Sequence, residues 1–144
     1  MVELLVTIAI ATILTTIAIP SFSGLIASQR AKTAASELFS SLLQARSDAI
    51  ALNANVTVVG LAGGGWQILG PTGNVLESHG APAGVVITLN PQTATTVTYR
   101  PSGRTLATSP TSFVITTNSG STTNYQCISL NLSGRPSQQA ANAC

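Results

Sequence analysis

The sequence predicts an α+β chain: one long, kinked N-terminal helix, membrane-crossing in its first half, packed on antiparallel β-sheet. Three observations predict it. Leu4 to Ile19 is an apolar run without a charge. From Leu25 to Leu52 apolar residues recur at the helical spacing of three and four. After Asn53 the pattern changes to short β-rich segments broken by Gly, Pro, Asn and Ser. The expected organisation is a membrane and assembly segment over 1–24 and a globular unit over 25–144. That unit divides into an amphipathic helix 25–52, a β-rich part 53–132 and a disulfide-tied tail 133–144.

The first helix half, Leu4 to Ile19, spans about 24 Å, slightly short of a ~30 Å hydrocarbon core. Its four threonines are tolerated in lipid because their hydroxyls bond back to helix carbonyls. A secretory signal would carry a basic stretch before the run and a small-residue cleavage site after it, and neither is present. Glu3 is the only charge ahead of the run. Drawn into lipid unpaired it costs on the order of 3 kcal/mol, so it calls for a partner such as a neighbour's N-terminal ammonium. Otherwise it sits among headgroups, where it suits the positive end of the helix dipole. Pro20 removes a helical hydrogen bond and predicts a kink or local melting.

The second helix half is amphipathic. Leu38, Leu42, Ala45 and Ala49 share one face, flanked by Phe39, Leu43 and Ile50, while Arg30, Lys32, Glu37, Gln44 and Asp48 face elsewhere. The stripe must bury against the rest of the chain. There, strands are expected near 56–59, 66–69, 74–77, 85–89, 96–100, 113–117 and 125–132. The breakers are Gly63-Gly64-Gly65, Pro71-Thr72-Gly73, Pro101-Ser102-Gly103, Asn118-Ser119-Gly120 and Ser133-Gly134. Short links favour antiparallel pairing. Val97, Tyr99, Val114, Ile128, Leu130 and Leu132 are the expected sheet side of the core.

Only 7 % of the 144 residues are charged, against a usual share of roughly 25 %. That suits a protein outside the cytosol that packs against copies of itself or its relatives. A net charge of +2 does not by itself indicate a polyanion partner. Cys127 and Cys144 form neither a CxxC pair nor part of a zinc cluster. A disulfide closing the C-terminal loop is the plain reading, with two unrelated thiols as the alternative. It implies an oxidising compartment and about 3 kcal/mol of stabilisation in the chain-entropy model.

The N-terminus, Val2-Glu3-Leu4-Leu5 followed by Pro20, resembles type IV pilins and the pseudopilins of type II secretion. Those begin, after leader cleavage, with an N-methylated Phe, a Thr-Leu-Val-Glu-Leu-Leu pattern, an apolar helix and a helix-melting Pro. Met1 stands where that family has Leu. By this resemblance the leader, its Gly, the peptidase site and the first two mature residues would precede Met1, and the chain is expected to start late. Leu43-Gln44-Ala45-Arg46-Ser47-Asp48-Ala49-Ile50, Tyr99-Arg100-Pro101-Ser102-Gly103-Arg104, and Cys127-Ile128-Ser129-Leu130 with Gly134-Arg135 look like segments of the GspH/FimT group of minor pilins.

The resemblance implies a pilus subunit of the FimT kind that binds extracellular double-stranded DNA weakly and non-specifically for uptake in natural transformation. The implied site is Gly134 and Arg135, with Arg104 and Arg100. The group's Gly-Arg-x-Arg motif is incomplete, because Ser137 stands where the second Arg would be. Glu3 becomes the assembly glutamate and Pro20 the helix break. Expected partners are other pilin subunits in a filament, DNA, and the bacterial inner membrane, crossed once, with the globular unit in the periplasm or, once assembled, at the cell surface. A GspH-like minor pseudopilin of type II secretion, or a structural or priming minor pilin without DNA binding, is the alternative.

The residues support DNA contact only modestly. The part after Asn53 holds Arg100, Arg104, Arg135, no Lys and one acid, Glu77. Arginine forks suit phosphate, Gly134 offers close backbone approach, and Gln138, Gln139 and Asn142 could add unspecific contacts. Three arginines are equally ordinary solubilising residues. No enzyme, metal or cofactor is expected. His79 is the lone histidine and falls in an expected loop; Glu37, Asp48 and Glu77 form no pair in sequence. No Gly-x-Ser-x-Gly elbow appears, and Gly63-Gly64-Gly65 lacks the Lys and helix of a phosphate loop.

Overall fold

The computed structural model describes residues 2–62, 64–91, 95–119, 122–142 and 144, with backbone alone at 16–21 and 122. Met1, Gly63 and Gly120 lie outside the described residues. One helix, α1 (Val2–Ala51), leads into eight strands: β1 (Val56–Gly60), β2 (Trp66–Leu69), β3 (Val75–His79), β4 (Val85–Asn90), β5 (Thr96–Tyr99), β6 (Thr111–Ser119), β7 (Thr122–Leu130) and β8 (Pro136–Gln139). They form two four-stranded sheets, ordered β3-β2-β1-β5 and β4-β6-β7-β8, with every pairing antiparallel. The α+β expectation therefore holds.

The first half of α1 projects from the fold. Leu4, Leu5, Val6, Ile8, Ile10, Ile13 and Leu14 are each at least half exposed. The threonines bond back as expected: Thr7 Oγ1 donates to the Leu4 carbonyl at 2.9 Å, Thr12 to Ile8 at 2.6 Å and Thr15 to Ala11 at 2.8 Å. This satisfies the hydroxyls without water. Among the described residues no helix is long and apolar enough to cross a membrane. The apolar run continues into 16–21, whose side chains lie outside the described residues. The backbone stays helical across Pro20, where melting is expected; the Pro20 side chain is outside the described residues.

The second half of α1 buries a longer stripe than its hydropathy suggests. Ala27, Ala31, Ala34, Ala35, Leu38, Leu42, Ala45 and Ala49 are all buried, each three or four residues from the next except the adjacent pair Ala34–Ala35. Alanines let the helix axis approach the sheets closely. Leu43 and Ile50, expected to flank the stripe, are largely exposed, whereas Phe39 packs on the core. The helix ends at Asn53 in left-handed conformation (φ 48°), with Ala54 N–H bonded to the Ala49 carbonyl and Asn53 N–H to Ile50. This is a Schellman cap with Asn in the usual glycine place.

A single core joins the stripe to Val56, Val58, Trp66, Ile68, Val97 and Tyr99 of one sheet and Val85, Phe113, Ile115, Ile128 and Leu130 of the other. Val114 is a correction. It faces away, and its neighbours Phe113 and Ile115 point inward, because strand residues alternate faces. Leu132 is only half-buried. Three further corrections concern the elements. The turn expected at Asn118-Ser119 is paired strand, with Asn118 opposite Thr123 and Ser119 opposite Thr122. His79 lies in β3, not in a loop. The polar tail contains β8, which pairs Pro136–Gln139 with β7, and Cys127 and Cys144 form a disulfide beside it.

Candidate functional site

The sequence motifs of interest meet at the C-terminal end of α1. β5 ends at Tyr99, and a tight turn follows: Gly103 N–H bonds to the Arg100 carbonyl and Arg100 N–H to the Arg104 carbonyl, both at 2.8 Å. Gly103 supplies the positive φ of 72° that this turn requires. The β7–β8 turn is built around Asn131. Its backbone carbonyl accepts Gly134 N–H at 2.9 Å, and its side-chain oxygen accepts Arg135 N–H at 3.0 Å and Ser133 Oγ–H at 2.6 Å.

These two turns pack directly on each other. Gly134, buried and at φ 79°, lies so close to Gly103 that an added Cβ would collide with the Gly103 carbonyl oxygen and meet the Tyr99 ring at 3.2 Å. The same carbonyl accepts a 2.9 Å hydrogen bond from Arg46 Nε of α1. Arg46, Tyr99, Gly103 and Gly134 thus form a clasp that locks the helix end to both sheets. Tyr99 Oη is buried with no hydrogen-bond partner, and burial pushes its pKa up despite the opposing charge of Arg46. The side toward which a Cβ of Gly134 would point is filled by Gly103.

Arg100, Arg104 and Arg135 are exposed on this clasp, two bracketing one turn and one on the other. None has a side-chain hydrogen bond or ion pair to another described residue. Ser137, at the place of the second Arg of the motif, is paired through its hydroxyl with Ser129 Oγ across β7–β8 at 2.7 Å. Gln138 and Gln139 are exposed in β8. Glu3 stands exposed in the first turn of α1, and Cys127 is buried, with its disulfide tying residue 144 back to β7.

The acids are elsewhere. Glu37, Asp48 and Glu77, unpaired in sequence, line one open groove of about 890 Å³ between α1 and β3. His79 borders it, stacked on Trp66 with ring centroids 5.1 Å apart. Its Nε2 is 2.8 Å from Glu77 Oε1, without hydrogen-bond alignment. Among the described residues no His, Cys, Asp and Glu group is arranged to hold a metal.

Two site features escape sequence reasoning. The role of Arg46 needs knowledge of its distant partner, although the residue sits inside a motif. The shared groove of the three acids depends on α1 and β3 lying side by side.

The family model described as type II transport protein GspH matches residues 34–134, which include Arg46, Tyr99, Gly103 and Gly134 of the clasp but not Arg135 or β8. Among solved structures, the type IV minor pilin FimU of Pseudomonas aeruginosa is similar in two crystal forms. One has 20 % identity and a TM-score of 0.63, covering 75 % of this chain and 91 % of that one. The other has 21 % identity and the same TM-score of 0.63, covering 82 % and 92 %. No curated protein sequence matches the chain.

Proposed function

Because this chain belongs to the type II transport protein GspH family and has a type IV pilin-like fold, we propose that it is a minor pilin whose exposed arginines contact DNA. The apolar projecting half of α1 is the membrane anchor and, in a filament, the part that packs against neighbouring pilins. Glu3 at its head is the assembly glutamate. The globular unit lies on the periplasmic side, and at the cell surface once assembled.

The observation that carries the DNA reading is the separation of charge. Arg100, Arg104 and Arg135 are exposed, without side-chain partners among the described residues, on two turns packed together, while Glu37, Asp48 and Glu77 line a groove elsewhere. Arginine forks at such a surface suit phosphate oxygens. Three contacts give weak binding with a log–log salt slope near −2.7, at about −0.9 per contact. Such binding reads backbone and not sequence, which fits uptake of any DNA in natural transformation.

The test is DNA binding by the full oxidised chain in detergent micelles across a salt series, beside Arg135→Ala and Arg104→Ala. Binding that weakens with salt and loses about one unit of slope per removed arginine supports the reading. Absence of binding at low salt removes it.

One observation favours a second reading, a minor pseudopilin or structural pilin that contacts only other subunits. Gly134, Gly103 and Arg46 have full structural duties in the clasp. Their presence therefore needs no DNA to explain it.

A further inference from the structure

We infer that the groove between α1 and the free edge of β3 receives the arginine turns of a second copy of this chain, in a lateral head-to-tail contact. The inference rests on the reading of the chain as a filament subunit, and it names the surface through which the globular units would meet.

The groove has a volume of about 890 Å³ and is open to solvent. One wall is the polar face of α1, the other β3. Its charges are three carboxylates, Glu37, Asp48 and Glu77, against one lysine, Lys32. These are all the acids of the chain except Glu3. Asp48 is held by Gln44 Nε2 at 2.9 Å and Glu77 lies against His79. Glu37 has no hydrogen-bond or ion-pair partner among the described residues. β3 has its outer edge unpaired in the sheet order, and Val75 and Leu76 are 53 % and 41 % exposed. β3 carries neither Pro nor Lys, although it is short, bears Glu77 and pairs with β2 through a register irregularity at Ile68/Leu69.

The opposite edge of the same sheet differs in both respects. β5 is closed by the chain that follows it, with Leu106 N–H bonded to the Thr98 carbonyl and Tyr99 bridged to Thr105. It leads directly into Arg100 and Arg104, and Arg135 stands on the turn packed beside them. Edge strands β3 and β5 are three strand spacings apart, about 14 Å. Opposite charges therefore occupy opposite sides of one sheet.

This arrangement chooses the kind of contact. A two-fold dimer through either patch would set like charges face to face. The favourable contact is heterologous, each copy giving its arginines to the groove of the next, and such contacts continue into rows or helices. Exposed ion pairs are individually weak. Copies held side by side by their projecting helices gain from a high effective concentration. Arginines docked in this way are withdrawn from DNA, so within a row only the end copy presents them freely.

The test uses the full chain in detergent micelles, without DNA, followed by sedimentation between roughly 50 and 500 mM salt. One variant reverses the groove (Glu37→Arg with Glu77→Arg), and another reverses the turns (Arg104→Glu with Arg135→Glu). The expected result is association of the unmodified chain that weakens with salt, and about tenfold weaker association of each reversed variant alone. An equimolar mixture of the two reversed variants restores association, because each offers the other a complementary pair. Glu37→Gln with Glu77→Gln weakens association without adding charge, which separates the effect from misfolding. A monomeric unmodified chain, association indifferent to salt and to both reversals, or a mixture no stronger than its components would each overturn the inference. Failure of DNA binding leaves it standing, since no DNA is present.

Discussion

Arg46 Nε on the last turns of α1 donates a 2.9 Å hydrogen bond to the carbonyl oxygen of Gly103, 57 residues later in the chain. That one bond ties the helix end to the turn bearing Arg100 and Arg104. The Gly103 carbonyl in turn lies against Gly134, beside Arg135. The exposed arginines are therefore positioned by a partly buried one, and stability and the candidate binding surface are coupled through the same few atoms.

Arg46→Ala leaves the Gly103 carbonyl without its charged donor. Hydrogen bonds to charged groups contribute about 1.5–3 kcal/mol, so urea unfolding should show a loss within that range. DNA affinity should fall as well, although Arg46 is not an exposed arginine of the patch. Unchanged stability in this variant would remove the clasp from the argument.

Gly134 and Gly73 make a matched pair. Both have φ 79°, but a Cβ at Gly73 meets open space while one at Gly134 meets the Gly103 carbonyl. A non-glycine residue in left-handed conformation costs about 1–2 kcal/mol. Gly73→Ala should stay within that range. Gly134→Ala should exceed it, with loss of at least about 2 kcal/mol, because the turns must also separate. Equal unfolding midpoints for the two variants would contradict the packing described here.

Tyr99 buries its hydroxyl without a partner. Removing an unsatisfied polar atom is close to neutral, so Tyr99→Phe should change stability at neutral pH by less than about 1 kcal/mol. The pH dependence has a definite sign. Burial raises the folded-state pKa of Tyr99 above its ordinary value near 10. The folded state then holds its proton where the unfolded state loses it. This contribution is complete below about pH 10 and is lost as pH rises from there toward the folded-state value. Tyr99→Phe should flatten that alkaline decline in unfolding experiments, and a decline of equal slope in both proteins would exclude Tyr99 as its source.

Cys144→Ala opens a loop with a sequence separation of 17. The chain-entropy model puts its stabilisation at about 3 kcal/mol. β8 is short, polar and at the sheet edge, so it should lose protection first. Amide hydrogen exchange should rise sharply at residues 137–139 and little in β6. Uniform exchange across the sheet would mean that β8 is held without the disulfide.

Much of the fold was legible from local pattern. Seven of the eight strands fall where β-rich segments alternate with turn residues, and Leu38, Leu42, Ala45 and Ala49 are buried as their spacing requires. β8 was not legible, because Pro136-Ser137-Gln138-Gln139 has no apolar alternation; its pairing is with β7, beside the Cys127–Cys144 disulfide. Ala27, Ala31, Ala34 and Ala35 were missed because alanine adds little hydropathy, although its small volume sets how closely helix and sheets approach. The arginines of the candidate surface were named from sequence, but their rigid mounting was not.

By itself, then, the sequence determined the order and type of the elements, the apolar character of the projecting helix and the family motifs. These depend on residues a few positions apart, whose spacing dictates which face is apolar and where the chain turns. Tertiary structure alone decided that Arg46, Gly103 and Gly134 share one carbonyl and that Glu37, Asp48 and Glu77 share one groove. It also decided that acids and arginines lie toward opposite edges of one sheet. Those relations join residues tens of positions apart, and only the packing of α1 across two sheets brings them within reach of each other's fields and hydrogen bonds.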